Sequence, residues 1–164
     1  MLEDLPSERA TLRLSGVRLE EFEGGRRRLE VAAGEAKFFR KKGKLLLEKV
    51  RIQWPLSNAE AEEEFVLEGE KAAYDFSARI AVVSGSVVMK DGEGHTFETE
   101  MARYDDRKRR VEAPGAVRME GPDGLTEGVG LEVDLEEERF LLREKVYTVI
   151  LPEAMKRAKE VLPR

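Results

Sequence analysis

The sequence has no cysteine, a single histidine (His95), a single tryptophan and only two side-chain amides, Gln53 and Asn58. Without thiols there can be no disulfide framework, thiolate metal site or cysteine nucleophile, and the redox compartment stays open. One imidazole with no thiol beside it cannot complete a zinc site, so neither a metal nor a cofactor is expected. No apolar run approaches the roughly 20 residues of a membrane-spanning helix. The N-terminus, MLEDLPSERA, lacks the apolar stretch of a signal peptide. A nucleophile elbow, a phosphate-cradling glycine loop and a dinucleotide fingerprint are all missing. The shortage of amides beside abundant Arg and Glu resembles the composition of heat-adapted proteins.

What is present describes one folded domain with a heavily charged surface. The 164 residues are 41% hydrophobic and 38% charged, with both signs intermixed and a net charge of -5. That balance gives no reason to expect a nucleic-acid partner. The basic clusters at 26–28, 40–42 and 107–110 fall at turns or strand ends without interleaved aromatics, and read as solvated turns.

The strongest internal signal is repetition. Residues 67–96 align with 97–126 without a gap, matching Glu68 with Glu98, Ala72 with Ala102, Tyr74 with Tyr104, Asp75 with Asp105, Gly85 with Gly115, Val87 with Val117 and Met89 with Met119. A repeat of this length points to one structural unit stacked on itself. Within each unit, apolar residues alternate at period two, the signature of half-buried strands. Leu29, Val31 and Ala33 alternate, then Ala36 and Phe38 resume after one extra residue, the spacing of a bulge or corner. Phe65, Leu67 and Gly69 followed by Ala72, Tyr74 and Phe76 repeat it, as do Phe97 and Thr99 followed by Ala102 and Tyr104.

Return strands carry Val83, Gly85, Val87 and Met89, then Ala113, Gly115, Val117 and Met119, and a drifted last copy runs from Leu131 to Val146. Ile80 and Val82 are out of phase and take no assignment. Turns are written in Gly, Asp and charged residues. Helical periodicity is confined to a capping box at Ser57 and Glu60 and to the tail 152–164. The fold expected is all-β: an antiparallel sheet of roughly 30-residue hairpins over 12–151, preceded by an extension 1–11 and followed by a short helical tail. One face of every strand points into a common apolar lane.

Asp75, Asp105 and Asp134 recur at equivalent places and would suit glycoside cleavage. An active site needs carboxylates in unlike environments, whereas a repeat supplies like ones. The aspartates are therefore assigned to turns, and no catalytic residue is expected.

The succession LEVAAGEAKFF…LLLEKVRIQ, FVLEGEKAAYDF…VVSGSVVM, FETEMARYDD…APGAVRM and EGVGLEVD…REKV resembles the LptC family of lipopolysaccharide-export bridge proteins and, more distantly, the OstA-like proteins that include LptA. The resemblance covers roughly residues 12–148. It implies a twisted, boat-shaped β-jellyroll with acyl chains in its interior and no enzymatic activity. It also implies a periplasmic location, receipt of lipopolysaccharide or a related glycolipid from an inner-membrane ABC transporter, and transfer to an LptA-like bridge protein by edge-strand pairing. Family members carry an N-terminal membrane helix, so the resemblance further implies an anchoring segment absent from this chain, or a soluble-bridge role.

The lipid-lining residues expected on this basis are Phe38, Leu47, Ile52, Leu67, Tyr74, Val87, Met89, Tyr104, Val117 and Met119. The partner edges are Leu12 and Leu14 at one end, and Val146, Thr148, Val149 and Ile150 at the other, which also permits a head-to-tail homo-oligomer. A second reading stays open: a structural repeat protein that polymerises through its edges around a packed core.

Overall fold

Period-two alternation produces nine strands: β1 (Leu12–Glu23), β2 (Arg26–Phe39), β3 (Lys44–Pro55), β4 (Glu64–Asp75), β5 (Ile80–Lys90), β6 (Thr96–Asp105), β7 (Arg110–Gly121), β8 (Gly124–Asp134) and β9 (Arg139–Ile150). They form one antiparallel sheet in chain order. The computed structural model describes residues 9–56 and 63–151; the expected capping box at 57–60 and helical tail at 152–164 lie outside them.

Direct register partners share a face, so the sheet can be read as rows. One row runs Leu12, Phe38, Leu45, Tyr74, Ala81, Tyr104, Val111, Val133 and Phe140 across all nine strands. Another runs Leu19, Val31, Ile52, Leu67, Met89, Phe97, Met119, Thr126 and Thr148. Both rows face inward. Ala81 and Val83 are buried, which puts Ile80 and Val82 on the outer face.

Between these rows every strand is disturbed at the same level. Register shifts fall between Glu68 and Lys71, Ser84 and Val87, Glu98 and Arg103, Ala113 and Ala116, and Glu127 and Val129. Positive φ angles at Gly16, Lys49, Gly85, Ser86, Gly130 and Lys145 lie on the same line. The extra residues read from the sequence are this line: each strand bends there, and the sheet folds across a crease into two facing layers.

The first layer holds the half-strands beside the β1–β2, β3–β4, β5–β6 and β7–β8 connections, and the second holds the others. Trp54 of β3 in the first layer packs 4.8 Å, ring centre to ring centre, from Tyr104 of β6 in the second. Phe97 of β6 in the first layer packs 5.1 Å from Phe140 of β9 in the second. Facing half-strands are thus three places apart in the sheet, as the twist between neighbouring strands dictates. Among the described residues, two corners are consequently left without a facing layer: the second-layer halves of β1–β3 and the first-layer halves of β7–β9.

The turns at the second-layer end share one design. Asp75 Oδ1 accepts from the Ser77 and Ala78 amides at 3.0 and 3.1 Å. Asp105 Oδ1 accepts from Arg107 and Lys108, and Asp134 Oδ1 from Glu136 and Glu137. Successive turns are also stitched together. The Phe76, Asp106 and Leu135 amides donate to the Gly43, Arg79 and Arg109 carbonyls at 3.1, 3.0 and 3.0 Å. The recurring aspartates organise turns, as their spacing suggests.

Gly85 and Gly115 are equivalent in the repeat and unlike in the structure. At Gly85 φ is +84° and an added Cβ would meet the Glu70 side chain at 2.5 Å, whereas at Gly115 nothing lies within 4 Å. Gly85→Ala is expected to lower the unfolding free energy by about 1–2 kcal/mol in urea titrations. Gly115→Ala should change it by less than about 0.5 kcal/mol.

Candidate functional site

The inward face supplies apolar surface in two states, enclosed and open. At mid-sheet, Leu67, Val83, Val87, Met89 and Phe97 have no exposed surface, and Trp54, absent from the expected lining set, is enclosed with them. Burial of each such side chain contributes roughly 1.5–3 kcal/mol, so the two layers are held by a packed centre.

Towards the first open corner the packing loosens into a cavity of about 260 Å³. It is lined by Leu19, Leu29, Val31, Leu45, Leu47, Ile52, Ala72, Tyr74, Phe76, Ala81 and Tyr104, together with Glu20, Glu21 and Asp106. Phe38, Tyr74 and Phe76 stack edge to face beside it, with Phe76 5.6 Å from Phe38 and 4.9 Å from Tyr74. A wider groove of about 620 Å³ follows the crease across β5–β9, combining Val87 and Val117 with Glu98, Glu100, Glu127 and Lys145.

The expected lining residues divide accordingly. Leu47, Ile52, Leu67, Val87, Met89, Tyr104 and Val117 are buried, while Phe38, Tyr74 and Met119 are half-buried towards the open corners. The expected edge residues lie on β1 and β9, the two outer strands of the sheet. Leu12, Leu14, Val146, Val149 and Ile150 are all 44% or more exposed, so both edges present large apolar side chains. On β9, Val146, Thr148 and Ile150 share the inward face and Val149 the outer one.

A polar cluster closes the inner wall of the first cavity, and the sequence reading missed it. Asp106 is buried. Its Oδ1 accepts from Tyr104 Oη at 2.9 Å and Arg28 Nη2 at 3.0 Å, and its Oδ2 accepts from Arg79 Nε at 3.0 Å and also from Arg79 Nη2. Arg28 is further bonded to Glu21 at 2.8 Å.

Burial works to raise the Asp106 carboxyl. Hydrogen bonds from Arg79 and Tyr104 and the charge of Arg28 outweigh it and hold the carboxyl below the usual aspartate value. Burial, then the Asp106 charge, push the Tyr104 phenol far above its ordinary value, so it remains a donor. The basic cluster at 26–28 is therefore not simply a solvated turn: Arg28 is an inward ion-pair partner, its side chain 11% exposed. A signal for Asp106 existed, since the repeat places it opposite the apolar Phe76 and Leu135.

At the β5–β6 connection Asp91, Glu93 and His95 come together. Asp91 Oδ1 accepts from the Glu93 and His95 amides at 2.8 and 3.0 Å, and His95 Nδ1 lies 2.6 Å from Asp91 Oδ2. This accounts for the group as a turn. His95 also packs 5.6 Å from Phe140 and is half-buried.

A single creased sheet folded around an apolar interior, with two open corners and β1 and β9 at its edges among the described residues, defines a β-jellyroll. The family model described as "Lipopolysaccharide-assembly, LptC-related" matches residues 5–151, and the chain belongs to that LptC-related family. The fold is also that of the crystal structure of LptH from Pseudomonas aeruginosa, described as the LptA-homologous periplasmic component of the conserved lipopolysaccharide transport device. The two superpose with a TM-score of 0.56 at 14% identity, over 76% of this chain and 95% of that one. No curated protein matches the chain. The family is thus described by lipopolysaccharide assembly, and the fold is that of a lipopolysaccharide-transport component.

Because the Asp106 carboxyl is held below its unfolded value, its contribution to stability is complete above about pH 4 and is lost as pH falls through the folded value. Asp106→Asn is expected to cost about 3 kcal/mol at pH 7. Urea unfolding as a function of pH should show a constant gap to wild type at neutral pH that narrows as pH falls below the unfolded aspartate value of about 4. A gap independent of pH would mean that the carboxylate charge contributes nothing.

Proposed function

We propose that this chain is a periplasmic bridge component. It accepts lipopolysaccharide or a related glycolipid from an inner-membrane ABC transporter and passes it to an LptA-like bridge protein. The observation that carries the reading is the pair of corners where, among the described residues, inward apolar side chains such as Leu12, Leu14 and Phe38 at one end and Val146 and Ile150 at the other lack a facing layer. An acyl chain gains roughly 0.8 kcal/mol per buried methylene, so such a surface binds lipid without a dedicated polar motif. Cargo occupies the cavity beside Tyr74 and Phe76 first. It reaches enclosed positions such as Leu67, Val87 and Met89 only as the layers part.

The edges supply the assembly step. β9, apolar on both faces from Val146 to Ile150, accepts the first strand of the next bridge protein by strand addition, and β1 faces the transporter. The same pairing of β1 with β9 would make a head-to-tail homo-oligomer. Inner-membrane anchoring comes through an N-terminal segment outside this chain. The enclosed centre favours one competing reading, a structural polymer joined through the same edges with a solid core.

Photocrosslinking separates the two. A photoreactive residue at Leu45 or Met119, both half-buried and inward, is expected to capture extracted lipopolysaccharide, and one at the exposed outer position Arg51 is not. No capture from either inward position in a folded protein would leave the polymer reading standing. Val149→Asp should abolish co-purification with an LptA-like partner and leave the circular dichroism spectrum of the monomer unchanged. Retained co-purification would move the interface away from β9.

A further inference from the structure

The tip of the β1–β2 hairpin lies over the 260 Å³ cavity, with Leu19, Glu20 and Glu21 from β1 and Leu29 and Val31 from β2 forming one wall. Its apolar hold on the opposite layer is weak. Val17, Leu29 and Val31 are half-buried and Leu19 is 45% exposed, whereas the centre of the sheet is held by side chains with no exposed surface. The polar tie across the layers at this tip is Arg28, whose Nη2 reaches the Asp106 carboxylate at 3.0 Å and the Asp106 carbonyl at 3.2 Å. Arg79 and Tyr104 hold that carboxylate from below. By contrast, Arg27 pairs with Glu30 and Glu64, within the tip's own layer.

The tip also has a place to bend. β1 crosses the crease at Gly16, where φ is +60° and nothing lies within 4 Å of the position a Cβ would take. On β2 the facing residue at the crease is Gly34. β2 is laddered to β3 from Ala33 to Glu30, so the part free to swing is the overhang at residues 21–29, paired within its own hairpin and irregular between Glu21 and Phe22.

We infer that the β1–β2 tip is a hinged lip over the apolar cavity, latched shut by Asp106 through Arg28, and that release of this latch admits an acyl chain. The cluster does not suit capture of an anionic headgroup, because Glu20, Glu21 and Asp106 at the same cavity outnumber Arg28 and Arg79. It is a self-neutralising tie: removing the Asp106 charge leaves two guanidiniums, one of them with its side chain 11% exposed, facing each other without their shared partner. Holding a weakly packed lip closed until a partner or cargo competes for it is the use to which a low-stability local unit lends itself. The admission of an acyl chain rests on the bridge reading given above; the latch itself does not.

The test measures the two separately. Amide hydrogen exchange in residues 21–29, and the rate of uptake of cis-parinaric acid, are followed in wild type, Asp106→Asn, Arg79→Gln and Arg27→Gln. Asp106→Asn is expected to speed exchange in 21–29 at least tenfold, with β4–β6 amides unchanged, and to speed probe uptake. Arg79→Gln, at the solvent side of the cluster and readier to fold, should do the same to a smaller extent, and Arg27→Gln should do neither.

Exchange that is unchanged, or equally faster throughout β4–β6, overturns the latch. So does faster uptake without faster exchange in the lip. Faster lip exchange with no probe uptake in any variant sustains the latch and overturns the acyl-chain reading of the interior.

Discussion

The structure depends on nine strands bending at one level. An antiparallel sheet in simple chain order has two long faces and no intrinsic way to bury either of them. The crease solves this by folding the sheet against itself, so that the inward rows on either side of it become the two walls of one core. Bending each strand needs an extra residue or a left-handed backbone, and both occur along the line: Gly85 with Ser86 in β5, Gly130 in β8, Lys49 and Lys145 in β3 and β9. A bend in one strand alone would break the ladder to its neighbours. The repeat unit places the irregularity at the same point in successive copies, so the bends stack.

From the crease and the sheet's twist follows the offset of three strands between facing halves. The offset leaves the same apolar rows covered at mid-sheet and uncovered at diagonal corners. A sandwich with no offset would have hidden both rows completely. An unfolded sheet would have exposed them along their full length. The chain thus has a packed centre and open apolar surface at the corners, without any change in the composition of the repeat.

The polar cluster belongs to this geometry. Arg28 and Asp106 are 78 residues apart and lie in different layers; they meet only because the offset brings the tip of the first hairpin over the β6–β7 turn. Repeats otherwise place apolar Phe76 and Leu135 at the position of Asp106, stitched by the same amide-to-carbonyl bond to the turn before. One copy has exchanged a hydrophobic contact for a charged one at the place where the cover is thinnest. That exchange turns a repeated structural position into a site with its own properties.

Much of this protein was written in local pattern. Alternation at period two sets strands and their inward residues, the extra residue between Ala33 and Ala36 or Leu67 and Ala72 marks the crease, and aspartates at 75, 105 and 134 mark turns through bonds to amides two and three residues on. These depend on neighbours in the chain, so the sequence by itself determined them. The layer offset, the enclosure of Val87 and Met89 beside the partial exposure of Tyr74 and Met119, the burial of Trp54, and the meeting of Arg28 with Asp106 depend on how far the twisted sheet turns before it closes on itself. Twist accumulates over nine strands and is not encoded at any single position, so only the tertiary structure decided which of the repeated apolar residues became core and which were left open.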